Sequence, residues 1–259
     1  MTHTFYKYQG TGNDFVMIDN RLGGFDKNNL ELIAHLCQRR KGVGADGLIL
    51  LESESDYDFK MVYFNADGNE STMCGNGGRC IVAFANFLGI IENTTRFIAI
   101  DGPHLATINK DYIELKMQDV SAIASNEHYH ILDTGSPHYV AVKSGLEAID
   151  MTIEGAKIRY DAPFNLSGIN VNFAEKINED SFAIRTYERG VEAETLSCGT
   201  GATAVAIAMF HSKHTTSKTI KLHTQGGILQ VRFEPLSSSY SDVWLCGPAK
   251  QVFKGDLEW

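Results

Sequence analysis

One eight-residue pattern occurs twice, and it limits the folds open to this chain more than any other feature. Glu70-Ser71-Thr72-Met73-Cys74-Gly75-Asn76-Gly77 and Glu194-Thr195-Leu196-Ser197-Cys198-Gly199-Thr200-Gly201 both read Glu-[Ser/Thr]-x-x-Cys-Gly-x-Gly. Each runs straight into an apolar stretch, Ile81-Val82-Ala83-Phe84-Ala85 in one case and Ala202 to Ala208 in the other. The cysteines are 124 residues apart in a chain of 259. A repeat at close to half the length predicts two similar halves, each with a cysteine at the mouth of a small-residue helix.

The first-turn N–H groups of a helix have no acceptor within the helix, and the helix dipole adds partial positive charge there. Glycines at that point leave the donors open to an anion. A thiol placed there is stabilised as thiolate, and a ligand carboxylate fits the same donors. A single Cys-Gly-x-Gly could be a nucleophile, a base, a metal ligand or a packed thiol. Two copies in equivalent halves suggest two thiols facing one ligand.

A helix apolar on nearly every face is a buried helix. Short strand-like stretches surround both of these in sequence, among them Phe5 to Tyr8, Phe15 to Asp19, Leu48 to Leu51, Phe59 to Phe64, Phe97 to Ile100, Ile169 to Phe173 and Ala183 to Gly190. The expected architecture is α/β of the α+β kind, with two pseudo-symmetric domains. Each is a β-sheet or barrel rolled around a buried central helix. The halves are placed at 1–118 and 119–249, with Gln118 to Glu127 as the crossover. The tail, about 250–259, is expected to pack back onto the first half.

The net charge of −9 and the lack of a basic block argue against nucleic acid as a partner. No apolar run is long enough for a bilayer span, so no membrane partner is expected. Five cysteines, an odd number, with no secretory signal in the sequence, predict reduced thiols and a cytoplasmic location. No metal is expected, since Cys74 and Cys80 do not match common zinc spacing and no Cys-x-x-Cys occurs.

Other residues read more plainly from their surroundings. Leu30, Ile33, Ala34 and Cys37 recur at helical spacing, predicting an amphipathic helix from Asn29 to Arg39 with Cys37 in its apolar face. Gly42-Val43-Gly44-Ala45-Asp46-Gly47 opens onto a strand rather than a helix, so it is not a dinucleotide fingerprint. Cys80 and Cys246 read as core thiols. Asn13 reads as a turn asparagine, and Glu188-Arg189 as a solvated pair at a glycine turn. His138, placed in a turn, could be an acid–base group or a cap. Asn170 and Asn172 share one face of a strand, where unpaired buried amides would be costly.

A pseudo-twofold relation between the halves would bring both helix mouths to one ligand. A thiolate on one side of a carbon and a thiol on the other are a base and an acid on opposite faces of that carbon. One removes the proton next to a carboxylate and the other supplies a proton from behind, which inverts the centre. Helix N–H donors stabilise the charge that develops on the carboxylate. No cofactor is needed for this chemistry.

Seven stretches spread along the whole chain resemble the diaminopimelate epimerase family: 10–15, 64–68, 74–80, 136–138, 170–173, 187–190 and 198–201. The resemblance implies cofactor-independent interconversion of LL- and meso-diaminopimelate, on the route to lysine and a cell-wall precursor. It implies a site in a cleft between two similar domains, and a homodimer. Cys74 and Cys198 match the acid–base pair. Gly75, Asn76, Gly199 and Thr200 match the carboxylate-binding backbone. Asn13, Asn65, Asn170, Glu188 and Arg189 match contacts to the amino groups and the distal carboxylate, and His138 and Glu188 match positions that tune the cysteines. Ser136 stands where many members have a substrate-contacting asparagine, and Gly47 where some have a glutamine. Phe253 stands where some have a dimer-contact tyrosine.

Four other readings compete with this one. Proline racemases and hydroxyproline epimerases share the two-thiol logic, but a cyclic imino acid has no second ammonium–carboxylate end for Glu188 and Arg189. Phenazine-pathway isomerases lack the thiol pair. A thiol redox or metal-binding protein is disfavoured by the same lack of Cys-x-x-Cys and of zinc spacing, and a non-enzymatic β-scaffold gives no reason for the duplicated cysteine mouths.

Overall fold

A computed structural model describes residues 2–258; Met1 and Trp259, the last residue of the expected returning tail, lie outside it. The chain divides into two compact units, residues 1–115 with 247–259, and residues 116–246.

The first unit opens with antiparallel β1 (Thr2–Gly10) and β2 (Asn13–Asp19), joined by a tight turn in which Thr11 has φ 51° and Gly12 φ 87°. Helix α1 (Leu30–Cys37) crosses to β3 (Gly47–Glu52), which lies parallel to β2. Asn29 caps α1 by accepting the Leu32 amide at 3.0 Å, one residue outside the helix proper. Then β4 (Phe59–Asn65) runs antiparallel to β3, and the two-residue β5 (Glu70–Ser71) pairs back on β4. Helix α2 (Gly75–Phe87) follows. After it β6 (Thr94–Ala99) lies parallel to β4, and β7 (Gly102–Asn109) and β8 (Tyr112–Lys116) complete a meander.

The second unit repeats this sequence of events. β9 (Ile123–Ser125), β10 (His130–Asp133) and β11 (Pro137–Val142) form an antiparallel set. Helix α3 (Met151–Arg159) crosses to β12 (Asn170–Asn178), parallel to β11. β13 (Ser181–Glu188) turns back antiparallel, and the short β14 (Ala193–Thr195) pairs on it. Helix α4 (Gly199–His211) leads to β15 (Thr219–Thr224), parallel to β13, then β16 (Gly227–Pro235) and β17 (Tyr240–Pro248). The last strand, β18 (Lys250–Glu258), pairs antiparallel with β1, so it holds in the first unit the place that β9 holds in the second.

Both cysteine-led helices are cores rather than covers. α2 packs on β1, β2, β3, β7 and β18, and α4 on β10, β11, β12, β13, β15 and β16. Every residue of α4 from Gly201 to Met209 is buried. Alternating alanines at 202, 204, 206 and 208 let strands approach on all sides, which explains why no polar face is needed. In α2, Phe84 is fully buried against the rings of Tyr6 and Tyr8; burial of such a side chain contributes roughly 1.5–3 kcal/mol. Strand β3 is buried on both faces from Gly47 to Leu51, as expected for a strand read as a continuous apolar run. Cys37, Cys80 and Cys246 are core residues, and burial pushes the Cys37 thiol up to about 12.

Two local expectations change. The crossover after residue 118 contains a strand, β9, because Ile123 to Ser125 finds an open partner in β10. Helix α3 departs from the sequence expectation: Gly155 and three β-branched residues, Thr152, Ile153 and Ile158, weaken its pattern. It forms because the Asp150 carboxylate caps it at the Ile153 amide (3.1 Å) and because Gly155 lets the helix lie directly on Tyr187. Among the described residues no helix is long and apolar enough to cross a membrane.

Candidate active site

Cys74 and Cys198 occupy the same position in their units, the N-cap of the buried helix, with extended backbone (φ −99°, ψ 148° and φ −120°, ψ 117°). In α2 the first carbonyl to accept a helical bond is that of Cys74, from Gly78 at 2.8 Å; in α4 it is that of Cys198, from Ala202 at 2.9 Å. The amides of Gly75 and Asn76, and of Gly199 and Thr200, therefore have no acceptor inside their helices. Cys74 Sγ acts as the cap acceptor, 3.2 Å from the Gly77 amide. A side chain at Gly77 would place its Cβ 3.1 Å from that sulfur. Cys198 Sγ lies 3.4 Å from Thr200 Oγ1.

Around Cys74 the amide side chains form a chain of fixed direction. Arg79, one turn into α2 and wholly buried, donates to the Gly75 carbonyl (3.0 Å), Asn76 Oδ1 (2.9 Å) and Thr11 Oγ1 (3.1 Å). A guanidinium only donates, so Asn76 must present its oxygen to Arg79 and its NH2 elsewhere. Asn76 Nδ2 donates to Asn13 Oδ1 at 3.3 Å, and Asn13 Nδ2 donates to Asp46 Oδ2 at 2.6 Å. A buried cation at one end and a carboxylate at the other thus orient both amides. Asp46 is in turn held by Arg39 (2.9 Å), which also binds Asp14 at 2.7 Å. Burial alone would raise the Asp14 carboxyl, but hydrogen bonds from Arg39 and Lys7 hold it below the usual range. Asn13 lies at the start of β2 and is only partly exposed, so the turn-asparagine reading gives way to a built-in contact. Asn65 closes β4, exposed, with its backbone in the Asn65–Asn69 turn.

In the second unit the strand ends carry a second group. Asn170 Nδ2 donates to Ser136 Oγ (2.8 Å) and to the Pro137 carbonyl (3.2 Å), while its Oδ1 accepts the Arg189 amide at 2.8 Å. The Arg189 guanidinium donates to the Ser167 carbonyl (3.1 Å) and Ser136 Oγ (3.3 Å). Ser136 therefore joins Asn170 to Arg189. Arg189 is exposed, and among the described residues it has no carboxylate partner; Glu188 instead accepts Thr195 Oγ1 at 3.0 Å. The surface Glu-Arg pair expected from local sequence does not form. His138 is not in a turn but in β11, fully buried, and burial together with the Arg189 charge pushes it down to about 3. Both effects favour the neutral imidazole. Thr134 Oγ1 donates to the Thr200 carbonyl at 2.8 Å, tying the β10–β11 turn to the mouth of α4.

Of the residues singled out in the sequence, Cys74, Gly75, Asn76 and Asn13 come together in the first unit, and Asn170, Arg189 and Ser136 in the second. Arg79 and Asn172 were missed as site supports. Both had a signal: an arginine inside an otherwise apolar helix, and a second asparagine on a buried strand face. The repeated glutamate that opens the duplicated pattern has a structural meaning in one copy. Glu194 forms a two-pronged pair with Arg185 (2.6 and 2.7 Å) that anchors β14 to β13.

Solved structures with this fold include a phenazine biosynthesis protein of the PhzF family from Bacillus anthracis, with a TM-score of 0.75 at 13% identity and complete coverage of both chains. Another is a hydroxyproline epimerase from Agrobacterium vitis with bound trans-4-hydroxy-L-proline, with a TM-score of 0.70 at 14% identity, covering 99% of this chain and 91% of that one. The architecture is thus a fold that this chain shares with both of these proteins. Within it, the sequence model of diaminopimelate epimerase matches residues 5–122 and 130–249. A diaminopimelate epimerase of Flavobacterium psychrophilum is 57% identical over 250 residues, 96% of this chain and 98% of the relative. Those of Chlorobaculum tepidum and Aquifex aeolicus are 40% and 38% identical, covering 96% and 98% of this chain and 98% and 97% of the relatives. The chain belongs to the diaminopimelate epimerase family.

Proposed function

We propose that this chain interconverts LL- and meso-diaminopimelate by proton exchange at the α-carbon between Cys74 and Cys198. The observation that carries the reading is the equivalence of the two cysteines: each caps a buried helix at the same point of a repeated topology. One thiolate takes the α-proton. The carbanion's charge spreads into the α-carboxylate, which the first-turn amides at Gly75-Asn76 and Gly199-Thr200 stabilise. The opposite thiol gives its proton to the other face, and the sulfurs have then exchanged protonation states. The reverse reaction starts from that exchanged form, so neither sulfur is uniquely acid or base.

The remaining contacts read the substrate as a diamino diacid. Arg189 meets the distal carboxylate, and Glu188 with Asn13, Asn65, Asn76 and Asn170 reads the amino groups and carboxylate edges. Amides of fixed direction suit this, because a site that must donate at one place and accept at another rejects a ligand lacking the matching group. His138 acts on the site only as a neutral group. The homodimer and the cytoplasmic location belong to the same proposal and rest on family membership.

The test is a substrate panel of LL-diaminopimelate, L-proline and trans-4-hydroxy-L-proline assayed by optical rotation or chiral separation. Turnover of diaminopimelate alone is expected. Inversion of a cyclic imino acid with no action on diaminopimelate would overturn the reading.

A further inference from the structure

Asn172 lies behind the mouth of α4, and its surroundings settle which way its amide points. The Tyr139 carbonyl can only accept, and it lies 3.0 Å from Asn172 Nδ2. A flipped amide would set oxygen against oxygen there. On the other side Thr186 Oγ1 donates to Asn172 Oδ1 at 2.9 Å. Both hydrogens of Nδ2 are thereby assigned: one goes to Tyr139, and the other to His138 Nδ1 at 3.0 Å. His138 Nδ1 faces a donor, so it must carry the lone pair. The ring proton then resides on Nε2.

That Nε2 is buried and, among the described residues, has no hydrogen-bond partner. An orphaned buried donor costs about 1–3 kcal/mol, which a fold retains where something supplies the acceptor in use. Gly201 ties the arrangement to the cysteine. A Cβ at Gly201 would lie 2.5 Å from Asn172 Oδ1, 3.3 Å from Thr186 Oγ1 and 3.3 Å from Cys198 Cβ. The second glycine of Cys-Gly-x-Gly is therefore the space in which the Asn172–Thr186 pair sits beneath Cys198.

We propose that Asn172 is a positioning residue that fixes His138 as its Nε2–H tautomer, so that His138 serves the Cys198 end of the site as a neutral hydrogen-bond donor to an anionic acceptor. This deepens the functional reading above and rests on it. It assigns His138 a role distinct from proton acceptor. Burial and the charge of Arg189 oppose an imidazolium, and an Asn172 Nδ2–H directed at Nδ1 leaves that nitrogen no room for a proton. The acceptor is a sulfur bearing negative charge or the substrate carboxylate. Either gains from one fixed donor that needs no reorganisation during reaction.

The experiment is long-range 1H–15N correlation on the full chain labelled in its nine histidines, with His138→Gln to assign the signal. In the unsubstituted enzyme His138 is expected to show an unprotonated Nδ1 and a protonated Nε2. Thr186→Val should keep that pattern, since the Tyr139 carbonyl still orients the amide. Asn172→Asp should move the ring proton to Nδ1, toward the new carboxylate, and lower kcat by about 100-fold with little change in KM. A proton on Nδ1 in the unsubstituted enzyme, or titration of His138 between about pH 5 and 8, would overturn the proposal even in a chain that turns over diaminopimelate. The spectra need no substrate, so they decide it if Asn172→Asp fails to fold. The Nε2–H tautomer in a chain inactive on diaminopimelate would support the assignment and count against the functional reading alone.

Discussion

Cys74→Ala and Cys198→Ala should each lower kcat for epimerisation by about 10³-fold or more, with the fold intact. A two-base inversion needs both a proton acceptor and a proton donor on opposite faces, and one sulfur cannot serve both within a single passage. Each truncation removes only a sulfur at the N-cap of its helix: Cys74 is partly exposed, and Cys198, though buried, makes no side-chain cap hydrogen bond to α4. In Cys74→Ala the Gly77 amide loses its cap acceptor, a loss of about 1 kcal/mol in α2. Circular dichroism and thermal melts should therefore stay close to those of the unsubstituted chain while turnover disappears. Either variant retaining turnover within tenfold would remove that sulfur from the chemistry.

Arg189→Ala is expected to reduce kcat/KM for diaminopimelate by about 10²–10³-fold, the effect of losing a charge-assisted, two-pronged hold on a carboxylate. Its geometry suits that role: the head group is exposed and is steered by the Ser167 carbonyl and Ser136 Oγ. The fold should tolerate the change, because Asn170 Oδ1 is held by the Arg189 backbone amide, which alanine retains. Arg189→Lys should recover only part of the activity, since an ammonium cannot make the planar paired contact. Kinetics of Arg189→Ala that match those of the unsubstituted enzyme would place the distal carboxylate elsewhere.

Much of this was legible in the sequence for definable reasons. A duplicated cysteine, glycine and apolar run announces two equivalent buried helices, because glycine opens a helix mouth and an all-apolar helix has nowhere to go but inside. The parallel and antiparallel pairings of the two units, which repeat strand for strand, follow from a doubling already visible at Cys74 and Cys198. Local sequence misread Asn13, His138 and Glu188-Arg189. Their meaning lies in partners distant along the chain: Asp46 for Asn13, Asn172 for His138, Ser136 and Ser167 for Arg189. Helix α3 hid because its stability comes from an Asp150 cap and a glycine seated on Tyr187 rather than from a periodic apolar face. Arg79 hid because a cation in an apolar run looks like an interruption. Only three dimensions reveal that it is the fixed donor end of the Asn76–Asn13 chain.

The most direct measurement is the isotope content of product formed from LL-diaminopimelate in D2O during the first turnovers. A proton delivered by the second thiol comes from a group that has exchanged with solvent. The meso product should therefore carry deuterium at the inverted carbon, while unreacted LL substrate is still protiated. Inverted product that keeps its original protium would contradict a thiol on each face and, with it, the role assigned to the paired helix caps.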